Sequence, residues 1–139
     1  MSAFATIGSN TYFQAPSGLA YAGGKLWVVD NTEESVLSEW TTNGSAPIAS
    51  IDNFNGGVSF FYAWGDGIDP VTGNVYVGDQ NGGNVEVFSS TGSYLTSVNS
   101  SEIASTEPAA VAVNSAGTTL YVLNYLANSV VAFPITAGS

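Results

Sequence analysis

Three oxygen-bearing side chains close three near-identical apolar phrases: Leu26-Trp27-Val28-Val29-Asp30, Val75-Tyr76-Val77-Gly78-Asp79 and Leu120-Tyr121-Val122-Leu123-Asn124. Hard divalent cations take carboxylate and carbonyl oxygens, so Asp30, Asp79 and Asn124 are candidate ligands for Ca2+ or another divalent cation. The competing role is structural, because Asp and Asn bond their own downstream backbone and organise turns. Recurrence in every copy favours the turn. A pair such as Asp30 and Asp79 does acid–base work only where mutual repulsion raises one pKa, and spacing along the chain does not give their separation. No nucleophile has a base, since histidine and cysteine are absent and Lys25 is the one basic side chain. No catalytic residue is assigned.

A second constellation is aromatic. The stretch from Asp52 to Trp64 carries Phe54, Phe60, Phe61, Tyr62 and Trp64 and is the longest connection between strand patterns. Aromatic planes beside carboxylates bind sugars or organic cations by stacking and cation–π attraction. Phe60, Phe61 and Tyr62 read as packing between sheets. Phe54 and Trp64, with Asp66, join Asp30, Asp79 and Asn124 as candidates for a ligand site.

The elements that must position these residues recur with the phrases, which lie 49 and 45 residues apart, within the period of radial β-sheet repeats. Each copy opens on an inner strand: Pro16–Ala20, Gly65–Asp69 and Pro108–Ala112. Turns rich in Gly, Asn and Pro lead into the apolar second strand. A third strand follows at Val36–Trp40, Val85–Phe88 and Val130–Phe133. A fourth follows in two copies, at Ile48–Ile51 and Tyr94–Val98, and residues Ala3–Ile7 read as an orphan fourth strand. With strands named a to d outward, the chain reads d–abcd–abcd–abc, with repeats over about 13–51, 60–98 and 106–136. The fold class is all-β, and at 139 residues a single domain.

Composition excludes several roles. Eleven acids against one base give a net charge of −10, which repels phosphate backbones and anionic lipid, so neither nucleic acid nor membrane is an expected partner. The same charge draws cations. No apolar run is long enough to span a bilayer. With no cysteine there is no disulfide framework, which is compatible with an exported bacterial protein. Residues 1–15 lack a basic n-region and an apolar h-region, so no signal peptide is expected.

Three stretches carry a family likeness: Phe13–Ala20, Val75–Phe88, and Pro108–Val113 running to Leu120–Asn124. In them the chain resembles NHL-repeat and YVTN-type β-propellers over nearly its whole length. The resemblance implies four-stranded antiparallel blades, three per chain, around a channel. It also implies that Asp30, Glu33, Glu34, Asp52, Asp66, Asp79, Glu102 and Glu107 share the loop face at the channel entrance. Members that bind RNA use basic faces, which this chain lacks. Lyase relatives need a histidine and are excluded, while lactonase relatives use metal-ligating carboxylates and amides. Three blades cannot close a ring, since propellers carry about four to eight. The expected assembly is a six-bladed homodimer, each residue 3–7 strand completing the partner's third blade. The expected function is a non-catalytic binding or structural module whose acidic face takes a cation, a small polar ligand or a carbohydrate. A metal-dependent lactonase-like hydrolase is the alternative.

Overall fold

The computed structural model describes residues 1–2, 6–9, 12–32, 35–44, 46–52, 60 and 62–136. Within them the chain forms eleven strands and no helix. The first sheet holds β1 (Pro16–Ala22), β2 (Lys25–Asp30), β3 (Val36–Thr41) and β4 (Ala49–Ile51). The second holds β5 (Ala63–Ile68), β6 (Val75–Asp79), β7 (Asn84–Phe88) and β8 (Tyr94–Val98). The third holds β9 (Pro108–Val113), β10 (Thr119–Asn124) and β11 (Ser129–Pro134). Every pair is antiparallel and joins neighbours in sequence.

Short polar connections enforce these meanders. After β5, Asp69 accepts from Val71 N (2.8 Å) and Thr72 Oγ1 (2.6 Å). After β9, Asn114 Oδ1 accepts from Thr118 N (2.8 Å) and Thr119 N (3.1 Å). Both are side-chain mimics of a backbone turn.

The three sheets share one register. Pro16, Ala63 and Pro108 lie opposite Asp30, Asp79 and Asn124. A bulge follows in each inner strand, so Ser17, Trp64 and Ala109 are equivalent, as are Gly18, Gly65 and Ala110.

Both faces of the middle sheet are covered. Towards the first sheet, Val75, Val77 and Phe88 meet Trp27, Val29, Leu37 and Ile51, with Phe60 filling the seam. Towards the third, Tyr76, Val85 and Val87 meet Val111, Leu120 and Val122, with Ile103 in the seam. Strands apolar on both faces are what such two-sided cover selects. The inner strands approach closely: a Cβ on Gly18 would stand 2.9 Å from Gly65 Cα, and one on Gly65 would stand 3.1 Å from Ala110 Cα.

Two expectations change. Residues 3–5 of the orphan strand lie outside the described residues, and Ile7 is not in a strand. The inner strand expected from Gly65 begins at Ala63, and Asp69 starts the turn, its carboxylate capping the backbone beyond β5.

A Cβ on Gly78 would lie 2.1 Å from the Ala109 carbonyl oxygen of the neighbouring sheet. Gly78→Ala is expected to cost about 1–3 kcal/mol by forcing the sheets apart, read as a lower urea midpoint at unchanged m-value.

Candidate functional site

The repeated Asp/Asn positions end β2, β6 and β10 and are buried. Asp30 Oδ2 accepts from Gln14 N (2.8 Å) and Oδ1 from Ala15 N (2.5 Å), tying the segment before β1 to the end of β2. Asn124 Nδ2 donates to Glu102 O (3.0 Å), which ties the segment before β9 in the same way. Asp79 Oδ1 accepts from Gly82 N (3.3 Å) in the β6–β7 turn. Among the described residues, no three Asp, Glu, His or Cys side chains converge. Asp30 spends both oxygens on main-chain donors, whereas Asn124 Oδ1 is buried without a hydrogen-bond partner.

Asp66 is placed apart from them. It lies opposite Val77 on β5 and faces the first sheet, so close to β1 that a Cβ on Gly18 would come within 2.7 Å of Oδ1. The expected position on the loop face gives way to a seam between inner strands. Both carboxylate oxygens are buried and accept no hydrogen bond. That burial raises the pKa from 3.8 to about 7. Glu86, also buried, is pushed up chiefly by desolvation, although Asn84 Nδ2 donates to it (2.9 Å).

The remaining expected rim acids divide. Glu33 and Glu34 lie outside the described residues, as do Phe54 and Phe61. Glu102 is exposed and accepts from the Ser100 hydroxyl. Asp52 is partly buried. Glu107 Oε2 accepts from Gln80 Nε2 (2.6 Å), joining the loops of the second and third sheets. Phe60 is fully buried, as its packing role requires, whereas Tyr62 is 37% exposed. Trp64 is 46% exposed. It is the bulge residue of β5, and bulges re-aim side chains.

Trp64 lines a cavity of about 350 Å³ with Gln80, Ala109, Ala110, Leu123 and Tyr125. Gln80 and Tyr125 were not among the sequence candidates. Their signal was position: Asn31, Gln80 and Tyr125 each follow a repeated Asp/Asn. Each main-chain N–H bonds the segment before an inner strand, at Ala15 O (2.9 Å), Tyr62 O (3.2 Å) and Glu107 O (3.0 Å).

Comparison with solved structures decides the architecture. The chain superposes on a structure of a nidogen/laminin complex with a TM-score of 0.75 at 16% identity, covering 94% of this chain and 47% of that one. A gluconolactonase from Xanthomonas campestris gives 0.67 at 17% identity, covering 89% and 39%. A calcium-binding regucalcin from Agrobacterium tumefaciens gives 0.53 at 12% identity, covering 80% and 38%. The fold is that of a β-propeller. The three sheets are its blades, and the chain spans about half the length of these neighbours or less. No family model and no curated protein sequence matches the chain.

Asp66 gives the blades a pH signature. Its folded pKa of about 7 exceeds the ordinary 3.8, so between those values the native state holds more protons than the unfolded chain. Stability is therefore expected to fall as pH rises from about 4 to 7. In Asp66→Asn this component of the slope disappears and stability at neutral pH increases, measured by urea unfolding across that range.

Proposed function

We propose that this chain is a non-catalytic binding or structural half-propeller that closes a six-bladed ring with a second copy of itself. One observation carries the reading: the open face of the third blade repeats a face that is buried one blade away, and the outward face of the first blade, although Tyr12 and Phe13 already cover its Trp40, keeps an exposed apolar part. On the third blade, Tyr121, Leu123 and Val130 are exposed, and their counterparts Tyr76, Gly78 and Val85 in the second blade are buried. On the first blade, Leu19 (67% exposed) and Tyr21 (63%) flank Leu26 and Val28. They leave an apolar trough of about 390 Å³ that Phe13 also lines. The equivalents of Leu26 and Val28 in the second blade, Val75 and Val77, are fully buried against the first.

The open faces are thus of the two kinds that already pack together twice within the chain. A second copy offers each its complement, and a two-fold pairing satisfies both at once. The three-stranded third blade leaves β11 as an edge, where residues 3–7 of the second copy would pair and remove an aggregation-prone border. The loop face carries ligand binding in this reading. Nucleic acid and membranes are not partners, given the charge of −10.

Light scattering after size exclusion is expected to give twice the 14.3 kDa chain mass. Leu19→Asp or Leu123→Asp, on opposite open faces, should each yield monomer, and deletion of residues 3–7 should weaken the dimer. A monomeric parent chain, or a dimer indifferent to both charges, refutes ring closure.

Two neighbours, a gluconolactonase and a calcium-binding regucalcin, suggest a second reading, a metal-dependent lactonase-like hydrolase. It requires Asp30 to release its main-chain donors to a cation, while Asn124 Oδ1, buried without a partner, needs no such exchange. Lactone hydrolysis that vanishes with chelator and in Asp79→Ala would favour the hydrolase, whereas calcium uptake without turnover fits the leading reading.

A further inference from the structure

The propeller frame fixes two positions per blade at the loop end of the inner strands without fixing their residues. The bulge position holds Ser17, Trp64 and Ala109. The position after the repeated Asp/Asn holds Asn31, Gln80 and Tyr125. Residues that recur at one position serve the frame. Residues that differ there, in identical backbone settings, are free to serve a ligand.

Between the second and third blades these positions bring two aromatics and an amide together. Trp64 and Tyr125 are about half and two-thirds exposed at the cavity they share with Gln80. Its volume of about 350 Å³ falls within the range of small-molecule clefts. Ala109 and Ala110 form an apolar floor. Gln80 also lines an adjoining polar cavity of about 180 Å³ that contains Glu107.

The polar equipment is fixed in place. Gln80 Nε2 is committed to Glu107 Oε2 (2.6 Å), so the pair presents a carboxylate and an amide oxygen. Glu107 is held at φ 56°, in the left-handed region, while its carbonyl accepts Tyr125 N–H (3.0 Å). Tyr62, the equivalent residue of the second blade, shares this conformation (φ 66°), so it belongs to the frame, which sets the carboxylate and the aromatic ring through one backbone contact. No basic side chain lines either cavity.

The geometry points to a binding site for a small organic ammonium ion, its cationic head against Trp64 and Tyr125, with Gln80 on the wall and Glu107, bonded to Gln80 in the adjoining cavity, supplying negative charge behind it. Aromatic faces attract cations through the ring quadrupole. Donors are present as well, at the Trp64 indole, the Tyr125 hydroxyl and Asn81 and Ser105 of the adjoining cavity; the net charge of −10, with Glu107 beside Gln80, favours a cation over a neutral sugar. The inference deepens the ligand-binding part of the reading above, resting on that role for the loop face and not on ring closure.

The test compares choline with 3,3-dimethylbutan-1-ol, its neutral isostere, by calorimetric titration at matched ionic strength. Choline is expected to bind in the millimolar range or tighter, and the neutral alcohol about tenfold more weakly, as a cation–π contribution predicts. Trp64→Ala should weaken choline by about tenfold while leaving the light-scattering mass unchanged. If Trp64→Ala fails to fold, Tyr125→Ala at the more exposed ring gives the same reading. Equal affinity for the two ligands, no choline binding, or binding indifferent to both aromatic substitutions overturns the site. Choline binding by a monomer would keep it and refute ring closure alone.

Discussion

A sheet apolar on both faces must be covered on both faces, and this constraint organises the molecule. Strands such as Val75–Asp79, buried along their whole length, gain stability only when a second layer lies on each side. A single meander cannot supply that, and two meanders cover only one face of each. Stacking blades radially is the solution that repeats, because each new blade covers one face and presents another of the same kind. The energy is carried by contacts such as Trp27 and Leu37 against Val77 and Phe88. Full burial of such side chains contributes about 1.5–3 kcal/mol each. The same constraint makes the terminal faces of the stack reactive towards a like surface.

Close packing of this kind leaves little room at the axis. Gly18, Gly65 and Gly78 occur where a methyl group would meet neighbouring backbone at 3.1 Å or less. The outer strands are freer and tolerate polar residues: β8 reads exposed over Tyr94, Leu95 and Thr96. Burial is greatest in the second and third strands of the middle blade and lowest in its fourth. At the loop ends of the inner strands, the bulge lets one side chain per blade leave the packing. That is why Trp64 stands out of the barrier between blades while its neighbour Ala63 is buried in it.

Much of this was legible in the sequence because repetition supplies internal controls. The second strands and turns were readable from three aligned phrases, and Val75–Asp79 and Tyr94–Val98 appear with their expected limits. Inner strands begin where expected at Pro16 and Pro108 but end one or two residues later, and the middle one begins two residues earlier, at Ala63, since small residues such as Gly65 and Gly67 carry no hydrophobic alternation. The side on which Asp66 lies was not legible either. It depends on the bulge at Trp64, which shifts register by one residue and so changes which face a side chain takes. Trp64 stood out through the aromatic connection that ends on it, whereas Tyr125 lies outside that stretch and is marked only by its place after Asn124.

The acidic composition becomes intelligible from the partners of the acids. With a single Lys and neither Arg nor His, buried carboxylates must find other donors. Lys25 meets Glu39 (2.5 Å), but its half-exposed position makes the pair a weak stabiliser. Asp30 instead accepts the main-chain N–H groups of Gln14 and Ala15 ahead of β1, and Asp69 that of Val71 in its own turn. Each such bond to a charged acceptor contributes roughly 1.5–3 kcal/mol. There the acid is part of the backbone's own hydrogen bonding, and no base is needed. Asp66 lies mid-strand, where the ladder has already claimed the nearby donors, and desolvation acts on it almost unopposed. The contrast follows from place in the strand: a carboxylate at a strand end meets free N–H groups, and one in the middle meets none.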